Sequence, residues 1–242
     1  MGIEFRNVVA GYSPTLTVLN ELSFRADSGQ VTLLIGPNGA GKSTVLKTLF
    51  GLLTPRAGEI LLDGVSIAGT RPRAMLDKGV AYVPQGRNLF GSLSVLHNLE
   101  LGGIVLSDGR IRKERMEEVL DRFPRIRERL YSQASTLSGG EQKQLEVGRS
   151  LLLRPRVILI DEPSIGLSPI VSQEVFKLLR GLADAGTTVL AVEQNVRSAL
   201  KHADRALVLE MGRLALDRPA RELLQDPDLN RLFLGSSTRR KV

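Results

Sequence analysis

The stretch "VTLLIGPNGAGKST", residues 31–44, restricts the fold of this 242-residue chain more than any other. It joins a short apolar run to a turn that spells G-x-x-x-x-G-K-[ST], and then to a helical pattern over 42–50. Strand, turn and helix in that order give the motif its physical meaning. Gly36, Gly39 and Gly41 permit a tight loop whose backbone N–H groups converge on phosphate oxygens. Pro37, Asn38, Ala40 and Thr44 complete the loop and its entry into the helix. The helix start adds the positive end of its dipole. Lys42 supplies a point charge for the β- and γ-phosphates, and Ser43 a hydroxyl for Mg²⁺. A chance Gly-rich turn is the bland alternative, and the flanking strand and helix disfavour it.

Two further apolar runs end in polar side chains. "VILIDEP" (157–163) reads as a buried strand closing on Asp161 and Glu162. Standing alone, these acids would be solvated ends of a strand. With a phosphate loop on a neighbouring strand, Asp161 is placed to hold Mg²⁺ and Glu162 to orient or deprotonate an attacking water. "TTVLAVEQNV" (187–196) breaks off at Glu193, Gln194 and Asn195. The carboxyl ends of such strands are where open α/β sheets bind ligands. A further strand over 79–83 ends at Pro84-Gln85, and one more is expected at 206–209. Segments 3–8, 16–24 and 55–64 read as antiparallel strands, and 171–185 as a helix. Between 86 and 152 the character turns charged and helix-favouring, which predicts a helical insertion within one α/β domain over 1–235. The basic tail 236–242 is expected to be disordered.

Composition narrows the class. Hydrophobic residues make up 42% of the chain, as in a globular protein. Cysteine is absent, which excludes disulfides and thiolate metal sites. The apolar runs are too short to cross a bilayer, and the start "MGIEFRNVVAGY" is not leader-like, so a cytoplasmic protein is expected. The net charge of +7 is scattered, with no basic stripe interleaved with aromatics, so no nucleic-acid partner is expected.

"LSGGEQ" (137–142) opens another helix, to about 153, with Ser138 in N-cap character and Gly139, Gly140 and Glu141 behind it. One phosphate loop already serves one triphosphate. A second anion-ready helix start suggests a nucleotide held by another subunit. The order of phosphate loop, Gln85, LSGG signature and "LIDEP" resembles the ABC transporter ATPase family over about 3–235. The resemblance implies a P-loop domain with a RecA-like core, an antiparallel β subdomain and an inserted helical subdomain at about 86–152. It also implies ATP and Mg²⁺ as cofactors, with ATP clamped in a head-to-tail dimer with itself or a related ATPase.

Carried over by position, Tyr12 would stack on adenine, and Gln85 would sense Mg²⁺ and the γ-phosphate. Residues 86–98 would meet membrane permease subunits, and a substrate-binding protein would take part indirectly. The chain would then sit peripherally on the cytoplasmic face of the cell membrane. "YVPQGRNLF", "DEPSIGLSPIV" and "VEQNV" resemble the second ATPase subunit of branched-chain amino-acid importers, with urea-type importers and soluble non-transport ABC ATPases as alternatives. Two positions depart from the wider family: Ser168 stands where Asp is usual, and Gln194 where histidine is usual. His97 and His202, the only histidines, are expected to be partly exposed helix residues away from that position. A glutamine amide donates a hydrogen bond but moves no proton near neutrality, so the resemblance leaves the general-base role to Glu162.

Overall fold

The computed structural model describes residues 2–86 and 88–226; the tail 236–242 lies outside them. The chain opens with strands β1 (Ile3–Ala10), β2 (Leu19–Ala26) and β3 (Val31–Ile35), then helix α1 (Lys42–Leu49). Next come β4 (Ala57–Leu62), β5 (Val65–Ser66), α2 (Pro72–Asp77) and β6 (Val80–Val83). The segment expected as a helical insertion holds α3 (Val95–Gly102), α4 (Gly109–Arg122), α5 (Pro124–Glu128), a 3₁₀ turn (Ala134–Thr136) and α6 (Gly139–Leu151). Then follow β7 (Val157–Asp161), α7 (Pro169–Asp184), β8 (Thr188–Val192), α8 (Val196–Leu200), β9 (Arg205–Glu210), β10 (Arg213–Pro219) and α9 (Ala220–Gln225).

The strands form two sheets. One is antiparallel, in the order β2-β1-β4-β5. The other runs β10-β9-β3-β8-β7-β6, parallel except for β10 at its edge. The parallel strands read as unbroken apolar runs because both faces are covered. Successive side chains alternate faces: Val31, Leu33 and Ile35 join the core under the helices, whereas Leu34 joins the core shared with β1, β2, β4 and α1. The same split recurs in β7, with Ile158 and Ile160 on one side and Val157 and Leu159 on the other.

Three expectations need correction. The strand carrying Asp161 does not neighbour the phosphate-loop strand, because β8 pairs with both β3 and β7 and stands between them. Local pattern carries no information about strand order. The strand expected from residue 16 begins at Leu19: Leu16 instead closes a turn, donating its N–H to the Ser13 carbonyl at 2.9 Å. His202 lies in the turn beyond α8, not on a helix. Among the described residues, no helix is long and apolar enough to cross a membrane.

Candidate nucleotide site

Four strands of the parallel sheet deliver polar groups to one edge. The phosphate loop follows β3, Asp161 ends β7, Glu162 follows it, Gln194 lies just past β8 and Gln85 just past β6. A cleft of about 470 Å³ opens there, lined by Tyr12, Asn38, Gly39, Lys42, Ser43, Gln85, Glu162 and Gln194 among others. The intrusion of β8 between β3 and β7 brings Gln194 to the middle of the edge, opposite Glu162.

The loop itself is sterically committed. Gly36 has φ of +146°, and a Cβ there would lie 2.1 Å from the Leu209 carbonyl oxygen on β9. No other residue fits that approach. The Lys42 ammonium is buried and donates to the carbonyl oxygens of Gly36 (2.8 Å) and Pro37 (3.0 Å), so the side chain spans the loop it follows. Burial lowers the Lys42 pKa, while Glu162 and Asp161 oppose the shift. Ala40 is buried beneath the loop, its carbonyl accepting from Gly212 N–H at 3.0 Å.

Glu162 is held from both sides. Its carboxylate oxygens accept from Gln85 Nε2 at 2.7 Å and from Gln194 Nε2 at 2.6 Å. It is only 6% exposed and sits at φ +49°, a left-handed conformation uncommon outside glycine and often found where function demands it. Its N–H donates to the Val192 carbonyl at 2.9 Å, which fixes the turn against β8.

Asp161 is 2% exposed, and among the described residues its Oδ1 has no hydrogen-bond partner. Burial raises its pKa most; a hydrogen bond from Ser43 pulls it back. A buried carboxylate oxygen without a partner is costly unless a cation completes it. Ser43, Asp161 and Gln85 together offer the hard oxygen donors that suit Mg²⁺. The Tyr82 hydroxyl on β6 is buried and also lacks a hydrogen-bond partner among the described residues, and its pKa is raised by burial and then by the charge of Asp161. Tyr12 is 51% exposed. Its hydroxyl meets Thr44 Oγ1 at 3.3 Å, and Lys47 Nζ lies 5.4 Å from the ring centroid.

The signature residues lie apart from this cleft. Ser138 caps α6: its Oγ accepts from Glu141 N–H at 3.3 Å, and the Glu141 carboxylate accepts from Ser138 N–H at 2.8 Å. That is a capping box. Donation from Ser138 lowers the Glu141 pKa. Gly139 lines a separate cavity of about 230 Å³ with Gly86, Lys143, Glu146 and Ile165. The glycines also answer a packing demand inside the chain: a Cβ on Gly140 would lie 2.6 Å from Val171 Cγ1, and one on Gly139 3.2 Å from Leu167 Cδ2.

Two further buried carboxylates, Glu146 and Glu193, support the edge. Glu146 on α6 pairs with Lys143 at 2.5 Å and accepts from Asn88 N–H at 2.8 Å, which ties the segment after Gln85 to the signature helix. Glu193 is 1% exposed and accepts hydrogen bonds from both sides of the β7–β8 edge. An isolated acid in an apolar helix face, or ending an apolar strand, is the sequence signal that points to such groups.

A P-loop nucleotide-binding domain follows from the fold and this edge. More specifically, the chain belongs to the ABC transporter family, whose sequence model matches residues 19–165, more than half of it. It is 41% identical over 227 residues to the high-affinity branched-chain amino acid transport ATP-binding protein BraG of Pseudomonas aeruginosa, covering 94% of this chain and 97% of that protein. It is 37% identical to a probable branched-chain amino acid transport ATP-binding protein, LivF, of Archaeoglobus fulgidus, covering 93% and 95%. It is also 34% identical to the lipopolysaccharide export system ATP-binding protein LptB of Escherichia coli, covering 92% of each. Among solved structures, the ADP conformation of MJ1267, an ATP-binding cassette, superposes with a TM-score of 0.87 at 26% identity, covering 98% and 100%. A dimeric post-hydrolysis cassette, MJ0796 bound to ADP and Pi, superposes with a TM-score of 0.76 at 26% identity, covering 90% and 99%. The chain is an ATP-hydrolysing subunit of an ABC transporter.

Proposed function

We propose that this chain powers import of branched-chain or related hydrophobic amino acids, working peripherally on the cytoplasmic face of the membrane. The observation that carries the solute class is the 41% identity to BraG over nearly the full length of both chains. In this reading residues 1–235 act as one unit, with 86–98 docking on permease subunits. A substrate-binding protein delivers the solute from the other side.

ATP binds in the cleft with adenine on the half-exposed face of Tyr12 and its phosphates over residues 36–44. The backbone N–H groups of the loop and the α1 dipole hold the phosphates. Lys42 exchanges its carbonyl contacts for phosphate oxygens. Ser43, Asp161 and Gln85 would hold Mg²⁺, whose charge neutralises that developing on the phosphoryl oxygens. Glu162 orients and deprotonates the attacking water. Gln194 donates to the γ-phosphate and moves no proton. Ser138, Gly139, Gly140 and Glu141 serve a nucleotide on a second subunit in a head-to-tail dimer, because they do not line this chain's own cleft.

Uptake of radiolabelled leucine by a strain lacking this chain tests the reading. Wild-type complementation is expected to restore uptake, and Lys42→Ala is not. Undiminished leucine, isoleucine and valine uptake in the deletion strain would discard the amino-acid assignment. The likeness to LptB supports a second reading, an export ATPase, which the same strain tests through lipopolysaccharide at its surface.

A further inference from the structure

The Glu193 carboxylate joins two functional loops. Its Oε1 accepts from the Ser164 N–H at 2.8 Å. Its Oε2 accepts from the Ser164 hydroxyl (2.9 Å), from Gln194 N–H (2.9 Å) and from Asn195 N–H (3.1 Å). Ser164 belongs to the loop that begins at Glu162; Gln194 and Asn195 begin the loop after β8. The Glu193 N–H itself faces the Leu34 carbonyl at 3.3 Å, at the end of the strand that feeds the phosphate loop.

We infer that Glu193 is a positioning residue for hydrolysis: its carboxylate staples the Glu162 loop to the Gln194 loop, so that the two side chains meet across the γ-phosphate position. The inference rests on the assignment of Glu162 and Gln194 to that position.

An apolar residue at the end of this buried strand would leave all four donors without their acceptor. A carboxylate there is acceptor-only, and four donors converge on it. Three of those donors are backbone N–H groups, which cannot turn away as a hydroxyl can. Burial pushes the Glu193 pKa up, and the same donors pull it back by favouring the charged form. A glutamine in its place has one oxygen and one NH₂. With the NH₂ at the Oε2 position, the N–H groups of Gln194 and Asn195 face a donor. With the NH₂ at the Oε1 position, the Ser164 N–H does. Either orientation leaves a buried backbone donor unsatisfied, and the loops must part to relieve it. The Gln194 amide, 2.6 Å from Glu162, then loses its register with that carboxylate.

Steady-state ATP turnover by the full chain tests this. Glu193→Gln is expected to lower kcat by about 10²-fold, the scale of a small misplacement of reacting groups, with KM for ATP little changed. Ser164→Ala removes one hydroxyl donor and is expected to lower kcat by about tenfold. Because the staple acts through Gln194, the double variant Glu193→Gln/Gln194→Ala should turn over no more slowly than Gln194→Ala alone. Losses that multiply would overturn the inference, as would wild-type kcat in Glu193→Gln beside an impaired Gln194→Ala. A wild-type rate for Gln194→Ala itself would instead remove the Gln194 assignment on which the staple rests. Should Glu193→Gln fail to fold, Ser164→Ala with Gln194→Ala carries the same non-additivity test, and a multiplied loss there overturns the staple equally.

Discussion

The cleft around Lys42 and the start of α6 both offer backbone N–H groups to an anion, yet they are built in opposite ways. In the cleft the contacts that hold Glu162 are long-range: Gln85 reaches it across 77 residues and Gln194 across 32, while Gly36 packs on Leu209. At α6 the polar contacts are local, with Ser138 and Glu141 three residues apart satisfying each other. The cleft is therefore a property of the assembled sheet edge, and its geometry stands or falls with strand order. The signature helix start is complete within one turn and can be presented to a second molecule without rearrangement. Chemistry that demands sub-ångström placement belongs to the first kind of construction. In the proposed head-to-tail dimer, the second kind suits an element that meets its nucleotide only on closure.

The largest effect expected from breaking this contrast is at Glu162. Glu162→Gln should bind ATP while losing about 10²–10⁴-fold in turnover, the range for removal of a general base. The variant also has a single carbonyl oxygen for two amide donors, so only one of the contacts from Gln85 and Gln194 survives. ATP retained on the protein after rapid gel filtration, together with phosphate release, measures both halves. Turnover at the wild-type rate would take Glu162 out of the mechanism and with it the idea that the sheet edge carries the chemistry.

The same contrast explains what could be read without coordinates. The strands β3, β6, β7 and β8 were legible because each is an apolar run stopped by polar residues, glycine or proline. The capping character of Ser138 was legible for the same reason that it is local. Strand order was not: nothing in "TTVLAVEQNV" says that β8 lies between β3 and β7, and that placement is what brings Gln194 to Glu162. Glu193 is visible in sequence only as a polar strand end and Glu146 not at all, because their partners Ser164 and Asn88 are 29 and 58 residues away. In sequence the signature glycines suggest access for an anion; their contacts with Val171 and Leu167 arise only when α6 packs on α7 and the segment leading into it.

That packing gives a smaller effect with a sharp sign. In an open helix, Gly→Ala stabilises by about 1 kcal/mol. At Gly140 the added methyl would press on Val171 Cγ1, a stiff β-branched side chain, and the gain should vanish or reverse. In a Val171→Ala background the clash is gone, and Gly140→Ala should raise Tm by about 2–4 °C. Thermal unfolding of the four proteins in that cycle checks it. A Tm gain already present with Val171 in place would show that the glycine answers to the partner's nucleotide and not to this chain's own packing.

The smallest effect is at the cap. Ser138→Ala removes one side-chain acceptor at the α6 start and should cost about 1 kcal/mol, read as a modest fall in Tm. Glu141 adds a pH dependence. Its carboxylate pKa is lowered in the fold, chiefly because it accepts from the Ser138 N–H and hydroxyl. A depressed folded value means that the charged form stabilises the fold above the unfolded carboxylate pKa. That contribution fades as pH falls through the folded value. Glu141→Gln should therefore narrow the stability difference between neutral and acidic solution, while keeping an acceptor in the box. Because the box is local, neither variant should disturb ATP binding by dilute, monomeric protein, measured by titration with ATP. Turnover should instead fall most at protein concentrations where two chains meet. A loss of monomer affinity comparable to that of Lys42→Ala would mean that the two anion-facing ends are one site, and the contrast between them would fail.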